Sequence, residues 1–343
     1  MNPLMNPYKD IEAYRVSPLL CGTDFLLVFP LLQCIRLRKA TSLSLELGGG
    51  DTEWQSDEDR QMIREDFRHG ATFLTNHRDI IMDAAWLSYL LRTHYFIRPY
   101  MGIGNNLLSR RWIEWLVRFN RCYVVVRDGG VKEAMKNAQH LSSYIQYLRA
   151  QGKSIWLAQR EGRAKDGNDL TQPAVLKMLT IGESNFLDAV RRLNICPVSI
   201  NYEYDPCDYL KAREMQLRRD NPLWKKPKGE DELSMKTGIS GKKGRVVHRI
   251  TPSINHWIDA HRETLDAMTR NEQVNAVAKR IDYQIHIGYE VYERGEAFET
   301  YLKERLAMID MPNKDEAFLM DKLREMYRNP VLNHQAAKEK KDN

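Results

Sequence analysis

Residues 72–90, TFLTNHRDIIMDAAWLSYL, combine two different patterns in one stretch. The first four residues are apolar or β-branched, which is typical of a buried strand. After Asn76 and His77, apolar side chains recur from Ile80 to Leu87 at the spacing of one helix face. The stretch therefore predicts a short strand that delivers a histidine to the start of a helix.

His77 has the position of a reactive imidazole. It would lie at the end of a strand, on a rigid element and beside the positive end of a helix dipole. Asp79 and Asp83 follow it, and a nearby carboxylate can fix the tautomer of a histidine that acts as a general base. Asp79 is also suited to cap the following helix, so this stretch by itself leaves a structural interpretation open.

Strand-like and helix-like segments alternate along the rest of the chain. Strands are predicted at residues 94–99, 122–127, 154–159, 195–202 and 246–250, and a long helix at residues 131–150. Such alternation predicts an α/β fold with a mixed, largely parallel sheet flanked by helices. Ligands bind at the carboxyl ends of the strands in such sheets, which is where His77 would lie.

Three regions are predicted from the composition along the chain. Residues 1–68 form an N-terminal helical appendage, residues 69–255 the α/β domain, and residues 256–343 a C-terminal helical extension. In the appendage, the apolar run of residues 24–36 is too short to cross a bilayer, and fits either a buried helix pair or an interfacial membrane helix. Residues 220–245 are rich in proline, glycine and lysine, and predict a mobile basic loop.

Composition and charge limit the class of protein. With 343 residues, of which 43% are hydrophobic and 29% charged, the chain has the composition of a soluble globular protein. Its five cysteines form no C-x-x-C pair, which argues against a zinc site or a disulfide framework and favours a reducing compartment. The formal net charge of +6 indicates an anionic partner, such as a phosphate ligand, a nucleic acid or an anionic membrane.

Three further motifs accompany predicted strands. Arg127 ends the run CYVVVR, and Glu161, Gly162 and Arg163 follow the run SIWLAQR. An arginine fork suits a phosphate or a carboxylate, and a glycine lets backbone N–H groups approach an anion. The third motif is the apolar strand opening ICPV at residues 195–198.

The order of these motifs resembles the four sequence blocks of the phospholipid/glycerol acyltransferase family. The blocks correspond to NHRDIIMD, VVVR, AQREGRA and ICPV, and the resemblance covers about residues 70–250. The first block of the family is His-x-x-x-x-Asp, whereas here that position is Met82 and the aspartate comes one residue later, at Asp83. Asp83 is favoured over Asp79 as the partner of His77, because Asp79 has a competing role as helix cap. The chain is thus identified as a divergent, bacterial-type member.

The resemblance implies transfer of an acyl group from a thioester of coenzyme A or acyl-carrier protein to the hydroxyl of a glycerophospholipid-type acceptor, in phospholipid biosynthesis. It implies that His77 is the base of a direct attack without an enzyme nucleophile. Arg127 and Arg163 would bind the acceptor phosphate, and Glu161 would bind an acceptor hydroxyl or orient an arginine. Backbone N–H groups at the helix start would stabilise the oxyanion.

The remaining expectations concern ligands and location. Gly162 and Asn76 would complete the substrate site. Neither a metal nor a cofactor is expected beyond the acyl donor, which is a substrate. The protein is expected to be cytoplasmic, peripheral on the inner face of the cell membrane and in contact with its anionic surface.

Two other functions are compatible with parts of the sequence. A lyso-amino-acid lipid with a free hydroxyl would use the same base, and its carboxylate would suit the same arginines. A nucleic-acid-binding protein would explain the basic charge and the lysine-rich residues 225–245, but no aromatic residues are interleaved there, so no nucleic-acid partner is expected. A protein kinase is excluded, because the HRD tripeptide at residues 77–79 lacks the required asparagine and no DFG motif occurs.

Overall fold

A seven-stranded mixed sheet organises the protein in the computed structural model, which describes residues 40–49, 56–108, 121–126 and 130–341. The strands are β1 (Ala40–Leu47), β2 (Thr72–Thr75), β3 (Tyr100–Gly104), β4 (Cys122–Val125), β5 (Ile155–Ala158), β6 (Ile195–Tyr202) and β7 (Gly244–Ile250). Their order across the sheet is β1-β7-β6-β2-β5-β3-β4. Every neighbouring pair is parallel except β6 and β7. The predicted α/β class with a mixed, largely parallel sheet is confirmed.

Twelve α-helices accompany the sheet in the described part of the chain. Those before β6 are α1 (Asp57–Arg68), α2 (Met82–Tyr95), α3 (Val131–Ala150), α4 (Pro173–Leu179) and α5 (Phe186–Leu193). Between β6 and β7 lie α6 (Asp208–Asp220) and α7 (Glu230–Ser240). The last five are α8 (Ile254–Ala260), α9 (Arg262–Asp266), α10 (Arg270–Ile287), α11 (Glu296–Ala307) and α12 (Glu316–Lys341).

Strand β2 lies in the middle of the sheet and joins two hydrophobic cores. Phe73 packs in one core with Ile63 of α1 and Leu91 of α2. Leu74 packs in the other core with Ile145 of α3 and Ile281 of α10. Successive side chains of a strand point to opposite faces, so both faces of β2 are covered. This is the reason why all four residues of the strand, Thr72 to Thr75, are buried and none carries a charge.

The parallel strands bring the predicted motifs to one edge of the sheet. Strand β5 pairs in parallel with both β2 and β3, and β3 pairs in parallel with β4. The carboxyl ends of these strands therefore share an edge, where ligands bind in open α/β sheets. His77 follows the end of β2, and Gln159 follows the end of β5.

The predicted N-terminal helical appendage is wrong at residues 40–47, which form β1. This strand pairs in parallel with β7, for example Leu43 with Val246. Its sequence, ATSLSLEL, alternates partly, but the partner strand that stabilises it comes from far along the chain. Helix α1 at the end of this region agrees with the predicted helical character. The apolar run of residues 24–36 lies outside the described residues.

Two further predictions of local structure are wrong. Residues 94–99 do not form a strand: α2 continues to Tyr95, Phe96 closes it with a left-handed φ of 57°, and β3 begins at Tyr100. Residues 220–245 are not a continuous loop, because α7 forms within them. This helix has acidic residues in its first turn, which favours its dipole, and it packs through Met235 against Ile103 of β3.

The predicted C-terminal helices are present, and α10 shares a core with the sheet. Helix α10 buries Val277 and Ile281 in the same core as Leu74 of β2. Helices α11 and α12 form another cluster through Leu302 and Leu323. The domain boundaries after residues 68 and 255 stay predictions. Among the described residues, no helix combines the length and the apolarity that crossing a membrane requires.

Candidate active site

His77 and Asp83 form a hydrogen-bonded pair at the carboxyl edge of the sheet. His77 Nδ1 lies 3.0 Å from Asp83 Oδ2. Asp83 is fully buried in the first turn of α2, whereas the imidazole keeps 15% of its side-chain surface exposed. Because Nδ1 is engaged by the carboxylate, Nε2 is the nitrogen left to take a proton from a substrate.

Three more donors hold the Asp83 carboxylate. Oδ2 also accepts the backbone N–H groups of Arg78 and Asp79, at 2.7 and 2.9 Å. Oδ1 accepts the hydroxyl of Tyr202 at 2.9 Å. Burial, and after it the Asp83 charge, raise the pKa of Tyr202 well above its usual value, so the hydroxyl keeps its proton and donates. Sequence reasoning missed Tyr202, whose only signal was its place at the end of the predicted strand 195–202.

Asp79 has a different environment. Its Oδ1 accepts the N–H groups of Ile81 and Met82, at 2.9 and 2.8 Å, and so caps the start of α2. Its Oδ2 is buried and has no hydrogen-bond partner among the described residues. Burial, and after it the Asp83 charge, raise the pKa of Asp79. The structure therefore places Asp83, and not Asp79, against the imidazole.

The two aspartates accept four backbone N–H groups of the histidine loop, residues 76–81, and of the first residue of α2. The N–H groups of Arg78 and Asp79 go to Asp83, and those of Ile81 and Met82 go to Asp79. The extra residue between His77 and Asp83 is thus accommodated by a loop that wraps around both carboxylates. The expectation that backbone groups of the helix start stabilise an oxyanion is wrong for these four N–H groups.

Asn76 extends the sheet beyond the end of β2. Its Oδ1 accepts the N–H of Ile200 at 2.7 Å, and its Nδ2 donates to the Ile200 carbonyl at 3.0 Å. The side chain thereby continues the ladder between β2 and β6 past the Thr75–Val198 pair. Because Asn76 is fully buried, this arrangement gives it a positioning role instead of the predicted contact with substrate.

The Glu-Gly-Arg loop, residues 160–172, follows β5 at the same edge. Glu161 and Gly162 are exposed, and Gly162 has a φ of 68°, a conformation that favours glycine. Arg163 points inward with 7% of its surface exposed, and its Nη1 has no hydrogen-bond partner among the described residues. Burial opposes its charge, but neighbouring groups that include Cys207 and Asp79 raise the pKa of Arg163 overall.

The remaining ligand predictions concern Arg127 and metal ions. Arg127 lies outside the described residues. Within the residues that the structure does describe, no group of three or more His, Cys, Asp and Glu side chains is arranged to hold a metal ion.

A family model described as Acyltransferase matches residues 56–200. This segment belongs to the phospholipid/glycerol acyltransferase family. It contains His77, Asp83 and Arg163, and it ends within β6, two residues before Tyr202. A comparison with curated proteins found no match. The predicted family and the predicted acyltransferase activity are therefore confirmed at the level of the family.

A buried ion pair joins two loops of the acyltransferase domain. Arg78 Nε lies 3.4 Å from Asp169 Oδ2, and so connects the histidine loop to the Glu-Gly-Arg loop. Burial raises the pKa of Asp169, although the charges of Arg78 and Arg160 oppose it. The same loop is tied to α10, because His286 Nε2 lies 2.9 Å from the backbone oxygen of Asp169. Nothing in the local sequence distinguishes Asp169 from a surface aspartate.

Helices beyond the matched segment also form hydrogen bonds with the acyltransferase domain. Asp282 of α10 accepts the N–H of Thr171 at 2.7 Å. Asn329 of α12 donates to the carbonyl of Asp166 at 2.8 Å. Both contacts fall on the Glu-Gly-Arg loop, so its position depends on the C-terminal helices.

Proposed function

We propose that the protein is an O-acyltransferase that moves a fatty acyl group from an acyl thioester to the hydroxyl of a lysoglycerophospholipid-type acceptor, in phospholipid biosynthesis. The observation that carries the proposal is the 3.0 Å contact between His77 Nδ1 and Asp83 Oδ2 inside an acyltransferase domain. Nε2 of His77 has no hydrogen-bond partner among the described residues. An imidazole supported by a carboxylate on one nitrogen suits the activation of a hydroxyl by the other.

The proposed reaction is a direct displacement. The acceptor oxygen attacks the thioester carbonyl while its proton passes to Nε2 of His77. The tetrahedral intermediate then collapses, the carbon–sulfur bond breaks, and the imidazolium returns the proton to the departing thiolate. The products are an ester and a free thiol. Asp83 holds the Nδ1–H and stabilises the imidazolium without taking the proton itself.

The acceptor anion is assigned to the arginines of the second and third blocks. The unpartnered Nη1 of Arg163 supports a role in binding the acceptor phosphate, as do the family blocks in which Arg127 and Arg163 stand. Exposed Glu161 and Gly162 lie on the same loop and are proposed to contact the acceptor. In this arrangement the arginines orient the hydroxyl, and His77 alone moves the proton.

We propose further that the protein works as a peripheral protein on the cytoplasmic face of the cell membrane. The lipid nature of the proposed acceptor and the formal net charge of +6 support contact with an anionic surface.

An acyl-transfer assay tests the proposal. The purified full chain is incubated with labelled acyl-coenzyme A or acyl-carrier protein and with glycerol 3-phosphate, lysophosphatidic acid or a lyso-amino-acid lipid. We expect ester formation on a phosphate-bearing acceptor, and a loss of about 10²–10⁴-fold in His77→Ala. The exposed His261→Ala is the matched control and should retain activity.

Other outcomes of this assay have defined meanings. Transfer to the lyso-amino-acid lipid alone would replace the proposed acceptor while keeping the same base. Transfer to none of the acceptors, or near-normal turnover by His77→Ala, would overturn the proposed function.

A further inference from the structure

The segment from residue 221 to the end of α7 carries exposed apolar side chains beside the candidate active site. Leu223 is 86% exposed and Leu233 is 45% exposed. We call residues 221–240 the basic edge. Single exposed leucines are common on protein surfaces, so the argument rests on how these two are held and on what surrounds them.

Leu223 is held in solvent by a defined turn. Its N–H donates to Asn221 Oδ1 at 3.0 Å, and the N–H of Trp224 donates to the Asn221 carbonyl at 2.9 Å. The Trp224 ring lies under the guanidinium of Arg218, 5.6 Å from its centre. The turn is therefore anchored to α6 through Trp224, and it presents the neighbouring leucine outward.

The acidic and the basic side chains of the basic edge differ in whether they have partners within the protein. Two of its three acidic residues pair with protein cations, Glu230 with Arg213 at 2.8 Å and Asp231 with Lys226. The third, Glu232, is half-buried and also has an interaction partner. In contrast, three exposed lysines form no ion pair with any described residue; they are Lys225, Lys228 and Lys236. The outward face thus carries leucines among unpaired positive charges, which is the pattern of interfacial segments that bind anionic lipid.

The basic edge adjoins the histidine loop. Gly238 of α7 lies so close to Asp79 that a Cβ on it would stand 2.0 Å from Asp79 Oδ2. Met235 of the same helix packs against Ile80 and Ile81. A surface that docks on this edge would therefore lie next to His77 and Asp83.

We propose that the basic edge docks on an anionic lipid bilayer, with Leu223 and Leu233 entering the boundary of the acyl chains and the three lysines contacting headgroup phosphates. This location rests on the proposed lipid acceptor, because docking here would bring a membrane-embedded hydroxyl to the histidine loop. A bilayer fits better than an acidic protein, since the leucines project singly from a turn and a helix, among exposed lysines.

Vesicle binding of the full chain tests the proposal without any substrate. The probes are sedimenting vesicles of phosphatidylcholine mixed with phosphatidylglycerol, and vesicles of phosphatidylcholine alone. We expect binding to the anionic vesicles that weakens with salt. Leu223→Asp should weaken it by about tenfold or more, because a leucine that the bilayer would bury is replaced by a charge that the lipid repels. The double variant Lys225→Glu/Lys228→Glu should weaken it similarly.

Leu332→Asp is the matched control, because Leu332 is 49% exposed on α12 and lies outside the basic edge. Equal binding by Leu223→Asp, Leu332→Asp and the unaltered chain would overturn the proposal. Binding to acidic acyl-carrier protein that Leu223→Asp abolishes, with vesicle binding unchanged, would overturn it in favour of a protein partner. Failure of the acyl-transfer assay would not affect these results, since binding is measured without acceptor or donor.

Discussion

At the scale of single residues, the roles of the two aspartates after His77 are separated by their partners. Asp83 binds the imidazole, the Tyr202 hydroxyl and two backbone N–H groups, whereas Asp79 caps α2. A cap needs only an acceptor oxygen, but a partner of the proposed catalytic imidazole needs a charge that stabilises imidazolium. The two positions should therefore respond differently to the same isosteric change.

The first prediction compares Asp83→Asn with Asp79→Asn. Asp83→Asn should lower kcat by about 10²–10⁴-fold, because an amide can hold the wrong tautomer and cannot stabilise imidazolium. Asp79→Asn should lower kcat by less than about tenfold, since asparagine is as good a cap as aspartate. Steady-state kinetics on folded protein measure both. The opposite ranking would reassign the partner of His77 to Asp79.

The second prediction concerns Tyr202, which fixes the far oxygen of Asp83. Tyr202→Phe leaves Oδ1 without this donor, so the carboxylate is held less firmly against His77 and kcat should fall by about tenfold with both KM values unchanged. Tyr123→Phe is the control: it removes a buried tyrosine bond to the Trp156 carbonyl and should affect stability but not kcat. An equal kcat for Tyr202→Phe and the unaltered chain would contradict a positioning role.

The third prediction is a dependence of stability on pH at His248 of β7. Burial lowers the pKa of His248 to about 4, with Asp83 opposing, and neither ring nitrogen has a hydrogen-bond partner among the described residues. The unfolded chain takes up a proton on this histidine below about pH 6.5, while the folded chain does not until near pH 4. Stability is therefore unaffected by this group above pH 6.5 and falls as the pH drops, by up to about 3 kcal/mol.

Denaturant unfolding at a series of pH values checks this prediction. His248→Leu should lose less stability than the unaltered chain between pH 6.5 and 4, because it has no such group to protonate. Replacing the exposed His261 by Leu should leave the dependence of the free energy of unfolding on pH unchanged. If the free energy of unfolding falls equally with pH in His248→Leu and in the unaltered chain, this histidine does not govern the loss of stability at acidic pH.

At the scale of elements, α7 shows how packing overrides composition. The sequence around it is rich in glycine and lysine, yet Gly238 allows the helix to approach Asp79 directly. A glycine inside a helix costs about 1 kcal/mol relative to alanine. Here that cost is offset by a contact that no other residue permits.

The fourth prediction uses this conflict between propensity and packing. Gly238→Ala places a Cβ against Asp79 Oδ2, so α7 or the histidine loop must shift, and both Tm and kcat should fall. Helix propensity alone predicts a gain in stability instead. Gly295→Ala is the matched control, because a Cβ there meets nothing within 4 Å. A more stable Gly238→Ala with normal turnover would show that the contact is not tight.

At the scale of the whole molecule, the C-terminal helices belong to the candidate site. Helices α10 and α12 lie beyond the segment that matches the family, yet both bind the Glu-Gly-Arg loop. Asp169 of this loop also pairs with Arg78 of the histidine loop. A displacement of the C-terminal helices is therefore expected to move the Glu-Gly-Arg loop before it moves His77.

The fifth prediction tests this dependence with Asn329→Ala. Loss of the donor to the Asp166 carbonyl loosens the Glu-Gly-Arg loop, so the KM for the acceptor should rise by about tenfold while the KM for the thioester stays constant. Asn255→Ala removes an equivalent side-chain bond, to the Arg191 carbonyl, and should change neither constant. A change confined to the thioester KM would instead assign the loop to the donor.

The sequence by itself determined the strands and helices whose patterns are local. Strand β6 and helix α3 have the bounds that were predicted, β2 covers the four residues assigned to a strand, and β5 differs only at its ends. Apolar runs and helical spacing are properties of neighbouring residues, so they can be interpreted before the fold is known. The order of the four blocks can also be seen in the sequence before the fold is known, and it was sufficient to predict the family.

Only the tertiary structure decided how these pieces meet. Strand β1 needs β7, Asp83 needs Tyr202, and the Glu-Gly-Arg loop needs α10 and α12, each partner being distant in sequence. A hydrogen bond selects its partner by distance and direction in space, and the sequence gives neither. Asn76 shows the same limit, because this polar residue beside the proposed base His77 completes a buried ladder with Ile200. Local sequence patterns identified the candidate residues, and long-range packing determined which partners they contact.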